Sequence, residues 1–171
     1  MVAPNPFVIC WNTTLVGLDT EWSLLPNKKA AVLQLCVDER CLIIQLVYME
    51  DNIPLSTLES FLTDSNFTFV GIEVAQDIAK LKHEYGLECN KSMDIGRLAK
   101  RRWPGRFRGP SLKELASELL GIDMRKPEDV CLSNWEAKVL NENQIEYACI
   151  DAYASYRIGH KLLLGEGALN L

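Results

Sequence analysis

The sequence lacks the features that mark exported, membrane-embedded or zinc-binding proteins. Residues 1–10 contain neither the basic start nor the apolar run of a secretory signal, and no apolar stretch reaches about 18 residues. The six cysteines include no C-x-x-C pair, which disfavours a zinc site and suits free thiols in a reducing compartment. We therefore expect a cytoplasmic protein, or alternatively a nuclear one, that does not enter a membrane.

Histidine is scarce, and low-complexity segments and internal repeats are lacking. The two histidines, His83 and His160, fall outside the motifs described below, so we expect surface helix positions for them and assign them no role. With 171 residues, of which 48% are hydrophobic, the chain is long enough to bury one core. The sequence therefore predicts a single domain over residues 1–171.

The net charge of −5 has the wrong sign for a protein that binds a polyanion, but the charge is unevenly distributed. Residues 97–108, called the basic segment below, contain six basic side chains and no acidic one. Aromatic residues are interleaved with these charges, as in surfaces that contact a phosphate backbone. A solvated basic face or a subunit contact to an acidic surface explains the pattern equally well. The candidates for nucleic-acid contact are Arg101, Arg102, Arg106 and Arg108.

The hydrophobic pattern predicts three early strands and a later alternation of helices and strands. Apolar, β-rich runs cover 15–22, 30–37 and 41–47, and the last two read as an antiparallel hairpin. Helical spacing appears at 54–62, 75–85, 93–102, 111–120 and 142–164, with a further strand at 67–72 and an exposed loop at 106–109. This order predicts an α/β fold in which a mixed β-sheet is flanked by α-helices.

Four carboxylates on these apolar elements suggest a metal centre. Asp19 and Glu21 end the first strand with one residue between them, so both side chains face the same way. Asp77 falls in the first turn of a helix and Asp151 within the last helix, on segments where an uncompensated charge is unfavourable. Each carboxylate alone has an ordinary explanation, such as a solvated strand end or an acid at a helix N-terminus. Only the four together predict a site.

Such a centre has a definite chemistry. Hard cations such as Mg²⁺ or Mn²⁺ prefer carboxylate oxygens, and four carboxylates suffice for two ions about 3.5 to 4 Å apart. Two ions of this kind hydrolyse phosphodiesters by activating a water and stabilising the leaving 3′ oxygen. Tyr147 precedes Asp151 by four residues, so a helix places both on one face, where the hydroxyl can orient that water. The alternative for Tyr147 is a partly buried core aromatic.

Three motifs, LVGLDTEW, FVGIEVAQDIAKL and YACIDAYASY, resemble the exonuclease motifs of the DEDD superfamily, tyrosine branch. The similarity runs from 15 to about 164 and is greatest to the group containing the Werner syndrome helicase exonuclease domain and its short plant relatives, including RISC-interacting clearing exoribonucleases. It implies a ribonuclease H-like (DnaQ-like exonuclease) fold. It also implies that Tyr147 positions the nucleophilic water and that the metal ligands are Asp19, Glu21, Asp77 and Asp151. The sister branch has a histidine where this chain has Glu146, which favours the tyrosine branch.

The resemblance also implies a substrate and partners. We expect a 3′-to-5′ exonuclease that takes the 3′ end of single-stranded nucleic acid, RNA more than DNA, and releases nucleoside 5′-monophosphates. Trp22, directly after Glu21, is expected to stack on a terminal base or to form a hydrophobic plug. The short plant relatives imply a homo-oligomer, such as a hexamer, and a partner protein from RNA silencing. Relatives carry a strand and a helix before the first motif, and here we expect either that residues 7–11 replace them or that the protein is a shortened form.

Two other functions compete with this one. A catalytically silent nucleic-acid-binding or scaffold subunit would keep the fold, but the loss of a metal carboxylate that marks such proteins is not seen. An endonuclease of the ribonuclease H type is disfavoured because the spacing of Tyr147 and Asp151 belongs to the exonuclease pattern.

Overall fold

A five-stranded mixed sheet, in the order β3-β2-β1-β4-β5, forms the centre of the molecule. The computed structural model describes residues 13–23, 29–49 and 55–165. The strands are β1 (Thr14–Trp22), β2 (Ala30–Val37), β3 (Arg40–Gln45), β4 (Phe67–Gly71) and β5 (Ser92–Asp94). The helices are α1 (Leu55–Thr63), α2 (Val74–Tyr85), α3 (Ile95–Arg102), α4 (Leu112–Leu120), α5 (Glu128–Cys131) and α6 (Glu142–Leu163). The predicted fold class is confirmed.

Strand direction determines where functional side chains meet. β1 is antiparallel to β2 but parallel to β4, which is in turn parallel to β5. The carboxyl ends of β1, β4 and β5 therefore lie at one edge of the sheet, called the carboxyl edge below. The pairing of β1 with β4 runs from Thr14 to Gly17. Asp19 and Glu21 therefore lie beyond it, near the point where the chain leaves β4 for α2.

Two layers of helices cover the sheet. On one face, α3, α4 and α6 pack over a core that includes Leu15, Val70 and Ile158. On the other face, α1 and α2 pack over a core that includes Val16, Leu18 and Phe69. Neighbouring residues of β1 thus belong to opposite cores, as the alternation of a strand requires.

Helix α6 lies unusually close to the sheet because two glycines remove side chains from the contact. A Cβ on Gly17 would collide with the carbonyl oxygen of Ala152, and one on Gly159 would lie 2.7 Å from Val70 Cγ2. Gly159 is the only glycine within the predicted helix, and the close packing against Val70 explains why a glycine occupies this position. The helix begins with a capping box formed by Asn141 and Gln144.

The structure differs from the sequence predictions at two element boundaries and in the burial of one side chain. The helix predicted at 93–102 begins only at Ile95, because the Asp94 side chain caps it and the residues before it pair with β4 as an edge strand. The strand predicted at 41–47 ends at Gln45 and continues as a 3₁₀ turn, Leu46–Tyr48. The segment 106–109 is a loop as predicted, but Phe107 within it is only 4% exposed because it joins the core under α4.

Two further features concern the part of the chain that the structure describes. The five cysteines there carry free thiols, as predicted, while Cys10 and residues 7–11 lie outside the described part. No described helix combines the length and apolar character that a membrane span needs.

Candidate metal centre

Three of the four predicted carboxylates meet at the carboxyl edge. Asp19, Glu21 and Asp151 each offer a carboxylate oxygen, and these atoms lie within 4.8 Å of one another. Asp19 and Glu21 reach the α6 face of the sheet because they alternate with Thr20 on β1. Asp151 faces them from α6 and is only 2% exposed. The close approach of α6 over Gly17 makes this meeting possible.

The fourth carboxylate, Asp77, approaches from the opposite face of the sheet. It lies in the first turn of α2, is 7% exposed, and accepts a 2.5 Å hydrogen bond at Oδ1 from the Thr20 hydroxyl. It is not part of the three-carboxylate cluster, yet its charge contributes to raising the pKa of Asp19. The acidic centre therefore spans the edge of the sheet, with three carboxylates on the α6 side and one on the α2 side.

Burial makes these carboxylates reluctant to ionise without a cation. Burial, followed by the charge of Asp151, raises the pKa of Glu21 to about 8. Burial also raises the pKa of Asp77 to about 6, and raises that of Asp19 and of Asp151 above the ordinary range. Carboxylates crowded in this way bind a cation in place of protons, and an all-oxygen donor set suits a hard divalent ion. The residues present thus fit Mg²⁺ or Mn²⁺.

A lysine that the sequence analysis missed completes the α6 side. Lys126 Nζ donates a 2.7 Å hydrogen bond to Asp151 Oδ2, and it lies 5.3 Å from the ring centroid of Tyr147. Burial would lower the pKa of Lys126, but the charges of Asp151, Asp19 and Glu21 raise it above its ordinary value. The ammonium therefore stays charged. Its segment has no regular pattern in sequence, and only the fold brings it to Asp151, 25 residues away.

Tyr147 lies one helical turn before Asp151, as predicted, and is 7% exposed. Its ring packs against Trp135, with centroids 5.9 Å apart. Burial, a hydrogen bond with Cys131 and the charges of Asp151 and Glu21 hold the pKa of Tyr147 above its usual range. The hydroxyl thus stays protonated, so it can orient a water molecule but cannot act as a base.

Trp22 is a partly exposed aromatic surface next to the centre. Its side chain is 37% exposed, and its indole nitrogen donates a 2.9 Å hydrogen bond to the Thr20 hydroxyl. Lys80 Nζ lies 4.7 Å from the ring centroid, within the range of a cation–π contact. Sequence reasoning also missed Thr20, although its position between two carboxylates on a strand indicates that it faces the opposite way.

The basic segment extends away from the carboxyl edge, where the carboxylates lie. It begins on α3, which leaves the carboxyl edge after β5, so Arg101 and Arg102 at the far end of the helix are about 10 Å along its axis. Both are exposed, as is Arg108, whereas Arg106 is paired with Glu118 at 2.6 Å. Within the described chain, none of the four predicted arginines forms a hydrogen bond or ion pair with the centre.

The two histidines occupy the surface helix positions that the sequence predicts. His83 and His160 are exposed on α2 and α6 and take no part in the centre. Trp135 is fully buried, and its indole nitrogen donates to the Cys131 carbonyl oxygen. It thereby anchors the turn that leads into α6.

Comparison with known proteins identifies the family of this chain. The family model described as "3'-5' exonuclease" matches residues 10–164. A "3'-5' exonuclease" from Arabidopsis thaliana is 35% identical over 149 residues, which cover 84% of this chain and 50% of the relative. The chain thus spans half the length of that relative.

Solved structures give the same fold. Escherichia coli RNase D, described as an exoribonuclease involved in structured RNA processing, aligns with a TM-score of 0.76 at 21% identity, over 92% of this chain and 40% of that one. NrnC from Brucella melitensis aligns with a TM-score of 0.70 at 28% identity, over 90% and 74% of the two chains. NrnC has also been solved bound to pGG and with bound Mg²⁺.

Proposed function

Because this chain belongs to the 3′-5′ exonuclease family of the DEDD superfamily, we propose that its centre hydrolyses the 3′-terminal phosphodiester of single-stranded nucleic acid. RNA is the preferred substrate over DNA, and nucleoside 5′-monophosphates are the products. The observation that carries the proposal is the convergence of Asp19, Glu21 and Asp151 within 4.8 Å, one helical turn from Tyr147. This arrangement suits metal-assisted phosphodiester hydrolysis.

Two divalent cations, Mg²⁺ or Mn²⁺, are the proposed cofactors. Asp19, Glu21 and Asp151 would hold them from the α6 side and Asp77 from the α2 side. When bound, the ions supply an activated water and stabilise the leaving 3′ oxygen. The raised pKa values of these carboxyl groups support the proposal, and so does the Mg²⁺-bound structure of NrnC.

The chain's own residues would orient the reactants. Tyr147 keeps its hydroxyl proton, so it directs the attacking water by hydrogen bonding without removing a proton from it. Lys126 supplies a fixed positive charge next to Asp151. Trp22 offers a surface on which the terminal base stacks, an interaction that is worth about 1 to 3 kcal/mol per base. Arg101, Arg102, Arg106 and Arg108 would contact the phosphate backbone farther from the 3′ end.

The preference for RNA and the protein partners are inferred from the resemblance of the motifs. A preference for RNA needs a contact that reads the 2′ hydroxyl. By the same resemblance we infer a homo-oligomer, such as a hexamer, and a protein partner in RNA silencing. The free thiols support a cytoplasmic location, with the nucleus as the alternative.

One experiment tests the proposed activity. A 5′-labelled single-stranded RNA and a DNA of the same base order are incubated with wild type, Asp19→Ala and the surface control Asp123→Ala. Each is assayed with Mg²⁺, with Mn²⁺ and with chelator. We expect a ladder that shortens from the 3′ end, needs metal and disappears only in Asp19→Ala.

The other outcomes distinguish the competing functions. Substrate that stays intact in every lane would support a silent binding or scaffold subunit. Internal fragments without a ladder would indicate an endonuclease. Faster shortening of DNA than of RNA would refute the proposed preference while leaving the exonuclease in place.

A further inference from the structure

A chain of two hydrogen bonds joins an exposed aromatic ring to the fourth carboxylate of the centre. The indole nitrogen of Trp22 donates to Thr20 Oγ1 at 2.9 Å, and Thr20 Oγ1 donates to Asp77 Oδ1 at 2.5 Å. An indole N–H only donates and a carboxylate only accepts, so the hydroxyl between them has one possible orientation. The three groups thus form a hydrogen-bond relay with a fixed direction, called the Trp22 relay below.

The relay is confined to the α2 face of the sheet. Thr20 and Trp22 alternate with Asp19 and Glu21 along β1, so they point away from the three-carboxylate cluster and towards α2. Thr20 is 8% exposed and Asp77 is 7% exposed. The bond between Thr20 and Asp77 is therefore shielded from water, which would otherwise compete for these groups, whereas the bond from Trp22 is partly buried.

The tryptophan end of the relay is itself held in place. Lys80 Nζ lies 4.7 Å from the Trp22 ring centroid and also bonds to Glu84 Oε1 at 2.8 Å. The other oxygen of Glu84 accepts a 2.7 Å hydrogen bond from the backbone nitrogen of Ala30 on β2. The ring is thus connected through Lys80 and Glu84 to the neighbouring strand, and it can hold Thr20 in a fixed orientation.

We propose that Trp22 and Thr20 are positioning residues for Asp77, so that the surface that receives the nucleic acid also orients a ligand of the metal centre. The inference rests on the proposed function in treating Asp77 as a metal ligand. Asp77 needs such support because it comes from a separate helix on the other face of the sheet and lies outside the compact cluster. Hydrogen-bond partners of metal-binding carboxylates commonly set their orientation.

Conservative substitutions separate this role from simple stacking. Trp22→Phe keeps an aromatic ring, although a smaller one, and removes the N–H donor. Thr20→Val keeps the shape of the side chain and removes the hydroxyl, whereas Thr20→Ser keeps the hydroxyl. If Trp22 served only as a stacking surface, Trp22→Phe would leave metal binding unchanged.

The test measures Mn²⁺ binding without nucleic acid, by titration with electron paramagnetic resonance of the free ion. Asp77→Asn defines complete removal of the contribution of that carboxylate. We expect Thr20→Val to weaken the affected Mn²⁺ site about 10- to 100-fold, the usual effect of removing a partner of a metal ligand. Trp22→Phe should weaken it about fivefold, the net effect of one hydrogen bond. Thr20→Ser should stay within about twofold of wild type if the hydroxyl alone matters.

Two matched variants control for general effects. Trp103→Phe changes a tryptophan of the basic segment, and Thr68→Val removes a buried strand hydroxyl that bonds to Thr13 at 3.1 Å. Both should bind Mn²⁺ as wild type does. If Thr20→Val does not fold by circular dichroism, Trp22→Phe decides the question.

The outcomes distinguish this inference from the proposed function. Wild-type Mn²⁺ affinity in both Trp22→Phe and Thr20→Val, with weakened binding in Asp77→Asn, would overturn the positioning role while leaving the nuclease assay unaffected. Weaker Mn²⁺ binding in the relay variants of a protein that shortens no nucleic acid would support the positioning role and refute the proposed activity. Unchanged Mn²⁺ binding in Asp77→Asn would overturn the inference at its premise.

Discussion

The two sides of the carboxyl edge hold their carboxylates in different ways. On the α6 side, Asp19, Glu21 and Asp151 crowd within 4.8 Å, and the ammonium of Lys126 bonds to one of them. On the α2 side, Asp77 is held at 2.5 Å by the neutral hydroxyl of Thr20. One side is dominated by the repulsion of like charges and its compensation, and the other by the orientation of a single group.

The electrostatics follow this difference. Burial is the largest cause of the raised pKa on both sides, but Glu21 on the crowded side reaches about 8 and Asp77 only about 6. A cation is therefore needed most on the α6 side. On the α2 side, Asp77 accepts a hydrogen bond from the Thr20 side chain, and the charge of Lys80 acts against burial by lowering the pKa of Asp77.

The largest effect is expected from removing a carboxylate on the crowded α6 side. Asp19→Asn should lower the single-turnover rate about 10³-fold or more, because it removes a ligand from the crowded cluster. Asp77→Asn should lower the rate less, by about 10- to 100-fold. Equal reductions in the two variants, measured with saturating Mg²⁺ and the same labelled strand, would contradict the division into two sides.

Removal of the ammonium tests the compensation directly. Lys126→Met leaves the buried Asp151 without its cation, so without metal it should lower the free energy of unfolding by about 1 to 2 kcal/mol. This is less than for a fully buried pair, because the Lys126 side chain is 30% exposed. The measurement is urea denaturation with chelator and with Mg²⁺, and the difference should shrink when Mg²⁺ is present.

A surface pair serves as the control for Lys126. Lys82→Met breaks the ion pair with Glu88, whose side chains are 64% and 58% exposed, and should change the unfolding free energy little in either condition. If Lys126→Met behaved like Lys82→Met, the ammonium would have no compensating role.

The pH dependence of metal-free stability sharpens the comparison further. The folded-state pKa of Glu21 is raised to about 8 from an ordinary 4.5, so between these values the folded protein holds a proton that the unfolded chain has released. Stability should therefore fall as the pH rises through this window, and Asp77 should contribute the same sign up to about pH 6. Thermal unfolding in chelator from pH 5 to 8 measures this change of stability with pH.

Variants and metal identify the source of that pH dependence. Glu21→Gln should flatten the upper part of the profile. Mg²⁺ should raise the unfolding temperature more at pH 8 than at pH 5, since it competes with protons for the same oxygens. Stability that rises with pH in chelator would show that the carboxyl groups are not held protonated in the folded state.

The smallest expected effect concerns the basic segment, which lies away from both sides. Arg102→Ala combined with Arg108→Ala should weaken binding to single-stranded RNA and reduce the slope of log affinity against log salt by about 1.4, or about 0.7 for each phosphate that is no longer neutralised. Arg106→Ala should do less, because that guanidinium is paired with Glu118. An unchanged slope would favour a solvated face or a subunit contact.

Much of this molecule could be predicted from local pattern. The strands around Asp19 and Leu33 and the long helix around Asp151 follow from apolar periodicity, and their existence and type were predicted correctly. The short strand β5 was missed because three residues carry no periodicity, and only pairing with β4 makes Ser92–Asp94 a strand. Likewise, Phe107 lies in a loop by sequence, but the core under α4 buries it.

For the centre, the sequence by itself determined the four candidate carboxylates and the local geometry of each. Alternation on a strand placed Asp19 and Glu21 on one face, and helical spacing placed Tyr147 beside Asp151. Only the tertiary structure decided that Asp77 approaches from the other face and that Lys126 and Thr20 bond to two of the carboxylates. Sequence periodicity reports only which face of its own element a side chain occupies. The hydrogen bonds of Lys126 and Thr20 join residues that are far apart along the chain, so they follow from the packing of helices against the sheet.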